Sequence, residues 1–165
     1  MRRRGLLSGL LLLGGCGFHP TYAGGETGRA SAALAGIEVD LLPERTGQLL
    51  RLALQRRLYG SGLSVPKTAE LRCQFTIGSE AIGIQTDSSS TRTRFFASAD
   101  YTLTSLGPDR RTITSGYARV VDGLDIVNEQ YFAADLETEQ VQRRLAETVA
   151  DRITTELSSY FARRA

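Results

Sequence analysis

The groups that could move protons or hold a metal are few in this chain of 165 residues. It has one histidine, His19, and two cysteines, Cys16 and Cys73. Nucleophilic catalysis of the Ser-His-Asp or Cys-His kind needs an imidazole held against the nucleophile. His19 lies in a stretch of linker composition, which nearly excludes such a device. His/Cys clusters with metal-ligand spacing are missing, and the glycines form no phosphate-cradling loop ahead of a helix. Glu137, Glu139, Glu147 and Glu156 fall on the polar face of an expected helix, where solvation explains them; acid catalysis would need a pocket that raises a pKa. No catalytic and no metal-binding residue is therefore expected. The remaining candidate chemistry is anion recognition. Arg92 and Arg94 flank Thr93 beside the aromatic pair Phe95 and Phe96, and Arg110 and Arg111 stand at the next turn. Guanidinium forks match phosphate oxygens. The same residues read equally as solvated strand positions, since after residue 15 the chain has 16 Arg and one Lys.

Cys16 carries the strongest motif. Arg2, Arg3 and Arg4 precede an apolar run from Leu6 to Leu13 and the small pair Gly14 and Gly15, the layout of a secretory signal. The run is far shorter than the roughly 20 residues a membrane-crossing helix needs. Leu13-Gly14-Gly15-Cys16 resembles the lipobox of bacterial lipoproteins, in which small residues fit a peptidase and the thiol accepts a diacylglycerol. Residues 1–15 are expected to be removed, leaving Cys16 first and bearing a diacylglycerol and an N-acyl chain; no other cofactor is expected. Acyl chains contribute about 0.8 kcal/mol per buried methylene and stable anchoring takes more than one chain, so the product stays tethered to a membrane. Gly17, standing where an Asp would resemble an inner-membrane retention signal, favours the outer membrane.

Removing residues 1–15 takes three of the 20 basic residues and none of the 18 acidic ones, and the formal charge goes from +2 to −1. A near-neutral chain argues against nucleic-acid binding, which shows a clustered basic field. The remaining 150 residues suffice for one domain with a real core. With Cys16 lipidated, Cys73 has no partner for a disulfide, and its place in an alternating apolar pattern marks a small buried hydrophobe.

The elements that position these groups follow from periodicity. Residues 16–33 form a lipidated flexible tether, rich in Gly, Ala, Ser and Thr, and residues 34–165 a single domain. Ile37, Val39 and Leu41 mark a short strand over Ile37 to Leu42. Leu49, Leu50, Ala53, Leu54 and Leu58 line one face of a helix from Glu44 to Tyr59, with Gly60 at its C-terminal cap. Leu71, Cys73, Phe75 and Ile77 alternate along a strand that is disturbed at Gly78 and Ser79, implying a bulge, and resumes at Ile82 and Ile84. Asp87 to Ser90 turns the chain, Phe95, Ala97, Ala99, Tyr101 and Leu103 line the returning strand, and Gly107-Pro108-Asp109 turns it again. Thr112 to Val121 is the last strand of the meander. From about Ala134 a second helix carries Val141, Leu145, Val149, Ile153, Leu157 and Phe161 on one stripe. The order implies an α+β fold, two helices on one face of a four-stranded, mostly antiparallel sheet.

The run Cys16-Gly17-Phe18-His19-Pro20-Thr21-Tyr22, followed by strand, helix, meander and long terminal helix, resembles the LptE (RlpB) family of lipopolysaccharide-assembly lipoproteins, in its alphaproteobacterial form. The resemblance covers most of the chain after Cys16. It implies a non-enzymatic subunit that plugs the lumen of the β-barrel protein LptD as a heterodimer, aids its assembly and binds lipopolysaccharide. Its place would be the outer membrane, lipid-anchored, facing the periplasm or inside the barrel. Family members use basic residues for lipid A phosphates; Arg92, Arg94, Arg110 and Arg111 are the local candidates. Two other classes share the outline: an auxiliary lipoprotein of a lipid-transport ABC system and a lipid-anchored cell-wall hydrolase.

Overall fold

Alternation of apolar and polar residues builds a four-stranded sheet in the computed structural model, which describes residues 29–84, 90–125 and 131–164. The expected signal, Cys16, His19, the tether through residue 28 and the turn residues Asp87 to Ser89 lie outside the described residues. The strands are β1 (Ile37–Val39), β2 (Ala69–Ile84), β3 (Ser90–Ser105) and β4 (Thr112–Asp125). They stand in the order β1-β2-β3-β4, with β1 parallel to β2 and the rest antiparallel. On one face Ala69 and Leu71 of β2, Phe95, Ala97, Ala99, Tyr101 and Leu103 of β3, and Ala118 of β4 are buried. Cys73, Phe75, Ile77 and Val120 pack against the same core. The five β3 residues are the stripe read from sequence.

The helices are α1 (Arg29–Ala35), α2 (Glu44–Leu58) and α3 (Tyr131–Ala162); α2 and α3 cover that face, and α1 packs on those two helices. The last two are the expected pair. Leu50, Ala53, Leu54 and Leu58 of α2 meet Val141, Leu145, Ala146, Val149, Ala150, Ile153 and Leu157 of α3, all buried. The two helices run side by side in the same direction, because β2 and β4 point the same way and each helix reverses against its strand. Arg45 pairs with Glu139 at 2.5 Å and Arg56 with Glu147 at 3.1 Å, and Arg57 Nη2 donates to Asp151 at 2.8 Å. Cations on α2 thus rise in step with carboxylates on α3. Pairs this exposed are each worth under about 1 kcal/mol, so they fix the register of two helices whose cohesion is apolar.

Secondary structure is present ahead of Leu34: the Ala-rich stretch Arg29–Ala35, expected as part of the tether, forms a helix. Leu34 and Ala35 are buried, and Lys67 Nζ caps the helix C-terminus by donating to Ala35 O at 2.7 Å and Ile37 O at 3.2 Å. The same ammonium lies 3.7 Å from the Tyr59 ring centroid, and Tyr59 Oη donates to Ile37 O at 2.9 Å. β1 stops at Val39. Asp40 Oδ1 accepts the Leu41 N–H at 2.8 Å, Leu41 is 74 % exposed and Leu42 takes the core position under Gly47. The cap of α2 is Tyr59. Gly60 has no left-handed φ; its Cβ would meet Arg56 O at 2.9 Å, and Gly62 supplies the left-handed residue at φ 67°.

The bulge expected at Gly78 is displaced. Gly78 pairs with Phe96 and Ser79 with Phe95 in unbroken register, which shifts only between Ala81 and Ile84. Gly78 is small because the Phe96 ring lies on it, and a Cβ there would sit 2.3 Å from Phe96 Cζ. β4 runs four residues past Val121, and α3 starts at Tyr131, ahead of Ala134.

Candidate functional site

The second face of the sheet is where this fold has surface to offer. The polar half of the alternation puts Arg72, Gln74, Thr76, Gly78 and Glu80 of β2, Arg94, Phe96, Ser98, Asp100 and Thr102 of β3, and Ser115, Tyr117, Arg119 and Val121 of β4 together. The helices lie on the other side. Hydroxyls dominate its middle, where Thr76 and Ser98 share a 3.0 Å hydrogen bond. Apolar side chains stand among them: Tyr117, level with Asp100, is 52 % exposed, and Val121, nearer the β2–β3 hairpin, 54 %, while Ile82 at the register shift beside the hairpin is 43 % exposed. Phe96 sits among them, half-buried on Gly78, with the Arg119 guanidinium 5.8 Å from its ring centroid.

The hairpin end is here called the tip, and the end holding the Gly107–Arg111 turn the base. Arg92 and Arg94 are on β3 near the tip; Arg92 stands in register with Gly83 and Asp125. Arg94 pairs with Glu80 at 3.0 Å, both side chains about half exposed, so a phosphate there would have to displace a carboxylate. Arg110 and Arg111 are at the base. Arg110 N–H closes the turn onto Gly107 O at 3.1 Å, and its φ of 39° is left-handed. At about 3.3 Å per residue, the strand between Arg94 and Ser105 separates the two arginine pairs by roughly 36 Å. The sheet therefore does not bring the four arginines into one site.

Nothing on the covered face looks reactive. Burial pushes the Cys73 thiol up to about 12, as its hydrophobe reading anticipates. Tyr101 is raised by burial first and then by its 2.6 Å hydrogen bond to Glu156. Both stay protonated at neutral pH, which suits packing and not proton exchange. Two open depressions flank Cys73, one of about 240 Å³ under the start of α2 and one of about 520 Å³ over Asp40, Arg72 and Asp100. In the second, Asp40 is paired with Arg72 at 3.2 Å. Among the described residues no group of three or more His, Cys, Asp or Glu could hold a metal ion, and no helix is long and apolar enough to cross a membrane. The arrangement offers a surface for binding. Tyr117 and Val121 gave no signal in sequence, although their odd positions in β4 place them on the same side as Phe96.

A family model described as lipopolysaccharide-assembly, LptE, matches residues 34–157. Among solved structures, a lipoprotein from Caulobacter crescentus is similar at TM-score 0.66 and 24 % identity, covering 82 % of this chain and 97 % of that one. Rare lipoprotein B from Shewanella oneidensis is similar at TM-score 0.57 and 12 % identity, covering 74 % and 92 %. A minor lipoprotein from Acinetobacter baumannii gives 0.53 and 16 %, covering 74 % and 88 %. At these identities the likeness is one of fold. No curated protein sequence matches the chain significantly.

Proposed function

From the premise that this chain belongs to the LptE family of lipopolysaccharide-assembly lipoproteins, we propose that it is a subunit of the outer-membrane machinery that plugs and helps assemble the barrel LptD. It acts by fitting, without catalysis, and binds lipopolysaccharide. The observation that carries this reading is the uncovered sheet face. A helix-on-sheet body has one face saturated by its own helices, while Tyr117 and Val121 stand exposed among hydroxyls on the other. Mixed surfaces of this kind pair with a polar barrel interior.

Cys16, carrying a diacylglycerol and an N-acyl chain, anchors the chain in this reading. The 12 residues between Cys16 and Arg29 reach at most about 40 Å when extended, enough for the body to enter a barrel while the lipid stays in the inner leaflet. The boundaries are a removed signal over 1–15, a tether that ends where α1 begins, and one domain after it. Arg92 and Arg94 at the tip are the proposed lipid A phosphate contacts.

The test is isolation of the native lipoprotein from detergent-solubilised outer membranes, with identification of what comes with it. A stoichiometric β-barrel partner is expected. Material that is lipid-free and solitary would remove the proposal. In parallel, Cys16→Ala should abolish palmitate labelling, and continued labelling would refute the anchor.

A further inference from the structure

The base of the body carries cations that the plug reading does not use. α3 ends there, because Tyr160 Oη donates to Ile113 O at 2.9 Å at the start of β4. Arg163 and Arg164 follow directly, both exposed, and the Arg164 guanidinium lies 4.4 Å from the Tyr160 ring centroid. The Gly107–Arg111 turn adjoins them, since Arg111 precedes Ile113 by two residues, and its Arg110 and Arg111 side chains are 60 % and 81 % exposed. Cations at a helix C-terminus complement the helix dipole, which accounts for Arg163 and Arg164 alone. Arg110 and Arg111 lie on a turn with no such dipole.

The carboxylates present do not neutralise this set. Asp109 pairs with Arg111 at 2.9 Å, and Glu70 is shared between Arg72 at 3.1 Å and Arg110 at 3.7 Å. Among the described residues no carboxylate pairs with Arg163 or Arg164. Exposed pairs like Asp109–Arg111 are weak enough for a lipid phosphate to replace. The C-terminal end of α1 lies at this end too, because α1 runs into Gly36, whose carbonyl accepts the Thr68 N–H at 2.8 Å, and Thr68 O in turn accepts the Leu106 N–H at 2.9 Å; the seven-residue α1 separates it from Arg29, where the chain after Cys16 joins the body.

We propose that this basal set, Arg110, Arg111, Arg163 and Arg164, lies against the anionic phospholipid headgroups of the membrane to which the tether leads, so that the tip with Arg92 and Arg94 points away from it. The proposal rests on reading Cys16 as the lipid anchor, which brings the base within reach of that surface. A cation near an anionic leaflet contributes enough that removing four weakens partition by up to roughly three orders of magnitude.

The experiment uses residues 16–165 with Cys16→Ser, which keeps every described residue and has no acyl chain. Co-sedimentation is measured with phosphatidylcholine vesicles, alone or with about a quarter phosphatidylglycerol. Binding to the anionic vesicles alone is expected, with release at roughly 0.5 M salt, where screening shortens to about 4 Å. R110Q/R111Q/R163Q/R164Q should lose that binding, while R143Q/R144Q, away from the base, should keep most of it. Circular dichroism checks that both variants fold. Loss in both variants in proportion to the charges removed, four against two, would mean that only net charge matters and would overturn the proposal. So would binding to neutral vesicles, no binding to either, or binding through these arginines to lipopolysaccharide aggregates and not to phosphatidylglycerol. A missing barrel partner in the native isolation would sink the plug reading and leave this vesicle result standing.

Discussion

Replacing Gly116 by alanine sets two glycines of the same local geometry against each other. Gly116 faces Tyr101 across β3 and β4, and a Cβ there would lie 2.4 Å from Tyr101 Oη and 2.6 Å from Cζ. The ring cannot swing aside cheaply: it is 5 % exposed, and its hydroxyl donates to Glu156 of α3 at 2.6 Å. Overpacking a core costs about 1–3 kcal/mol, and losing a hydrogen bond to a charged group about 1.5–3 kcal/mol. Alanine recovers about 0.5–1 kcal/mol over glycine in a strand. The net expectation is a loss of about 2–4 kcal/mol. At about 3 °C per kcal/mol for a body of this size, Tm should fall by about 6–12 °C in a thermal melt followed by circular dichroism. Gly78→Ala makes an equally short contact, 2.3 Å to Phe96 Cζ, but on the uncovered face, where the ring can turn toward solvent. Its cost should stay under about 1 kcal/mol, the range of surface substitutions with an escape. If the two variants melt together, or if Gly116→Ala melts with the parent, the argument that α3 pins Tyr101 is wrong.

Other consequences are more local. Asp151 is held below the usual carboxylate range by its hydrogen bond to Arg57, so its contribution is present above the unfolded-state value and vanishes as pH falls through the lower folded value. Asp151→Asn should therefore cost under about 1 kcal/mol at pH 7, given its exposure, and chemical denaturation of the two proteins should converge in acid; a gap that persists there would contradict the pairing. For Cys73 the folded value is raised to about 12, so stability should decline once pH rises above the ordinary thiol value. Thiol reagents at pH 8 should modify it slowly until denaturant is added, and fast labelling of the native protein would contradict its burial. Arg92→Glu with Arg94→Glu should weaken lipopolysaccharide binding in a pull-down while the melt is retained, and unchanged binding would discard the tip site.

Legibility followed side-chain period. The β3 stripe from Phe95 to Leu103 and the α3 stripe from Val141 to Leu157 were readable because each repeats often enough to exclude other elements. Isolated signals failed. Gly78 in a strand means a bulge or a close approach, and only a known partner, Phe96, decides which. Arg29–Ala35 has the composition of a linker, yet its alanines form a short helix once Leu34 has a core to enter. Leu41 and Leu42 are adjacent and equally apolar, so the point at which β1 leaves the sheet was set by the Asp40 turn and not by hydropathy. At the site, Arg92 and Arg94 were legible as neighbours, since they stand two residues apart on one strand. Arg110 and Arg111 look near them in sequence, but a 16-residue β3 carries them to the opposite end.

That separation gives the body a direction. One end gathers the C-termini of all three helices, the Lys67 clasp and the four basal arginines; the other projects β2 and β3 past the start of α2, which lines a depression together with Cys73 to Thr76. Cores of this kind are tight at the clasped end, where α1, β1 and the end of α2 are tied through Ile37 O and Ala35 O. Toward the hairpin the covering thins to α3. A partner that encloses the tip would therefore meet the part of the sheet least supported by its own chain, and would gain most from Ile82, Phe96 and Val121 there. The hydroxyls of Thr76, Ser98 and Thr102 behind them need polar or water partners when covered. A dry, wholly apolar mate is thus the wrong complement, and a polar-lined enclosure that leaves the base outside, against headgroups, satisfies both ends.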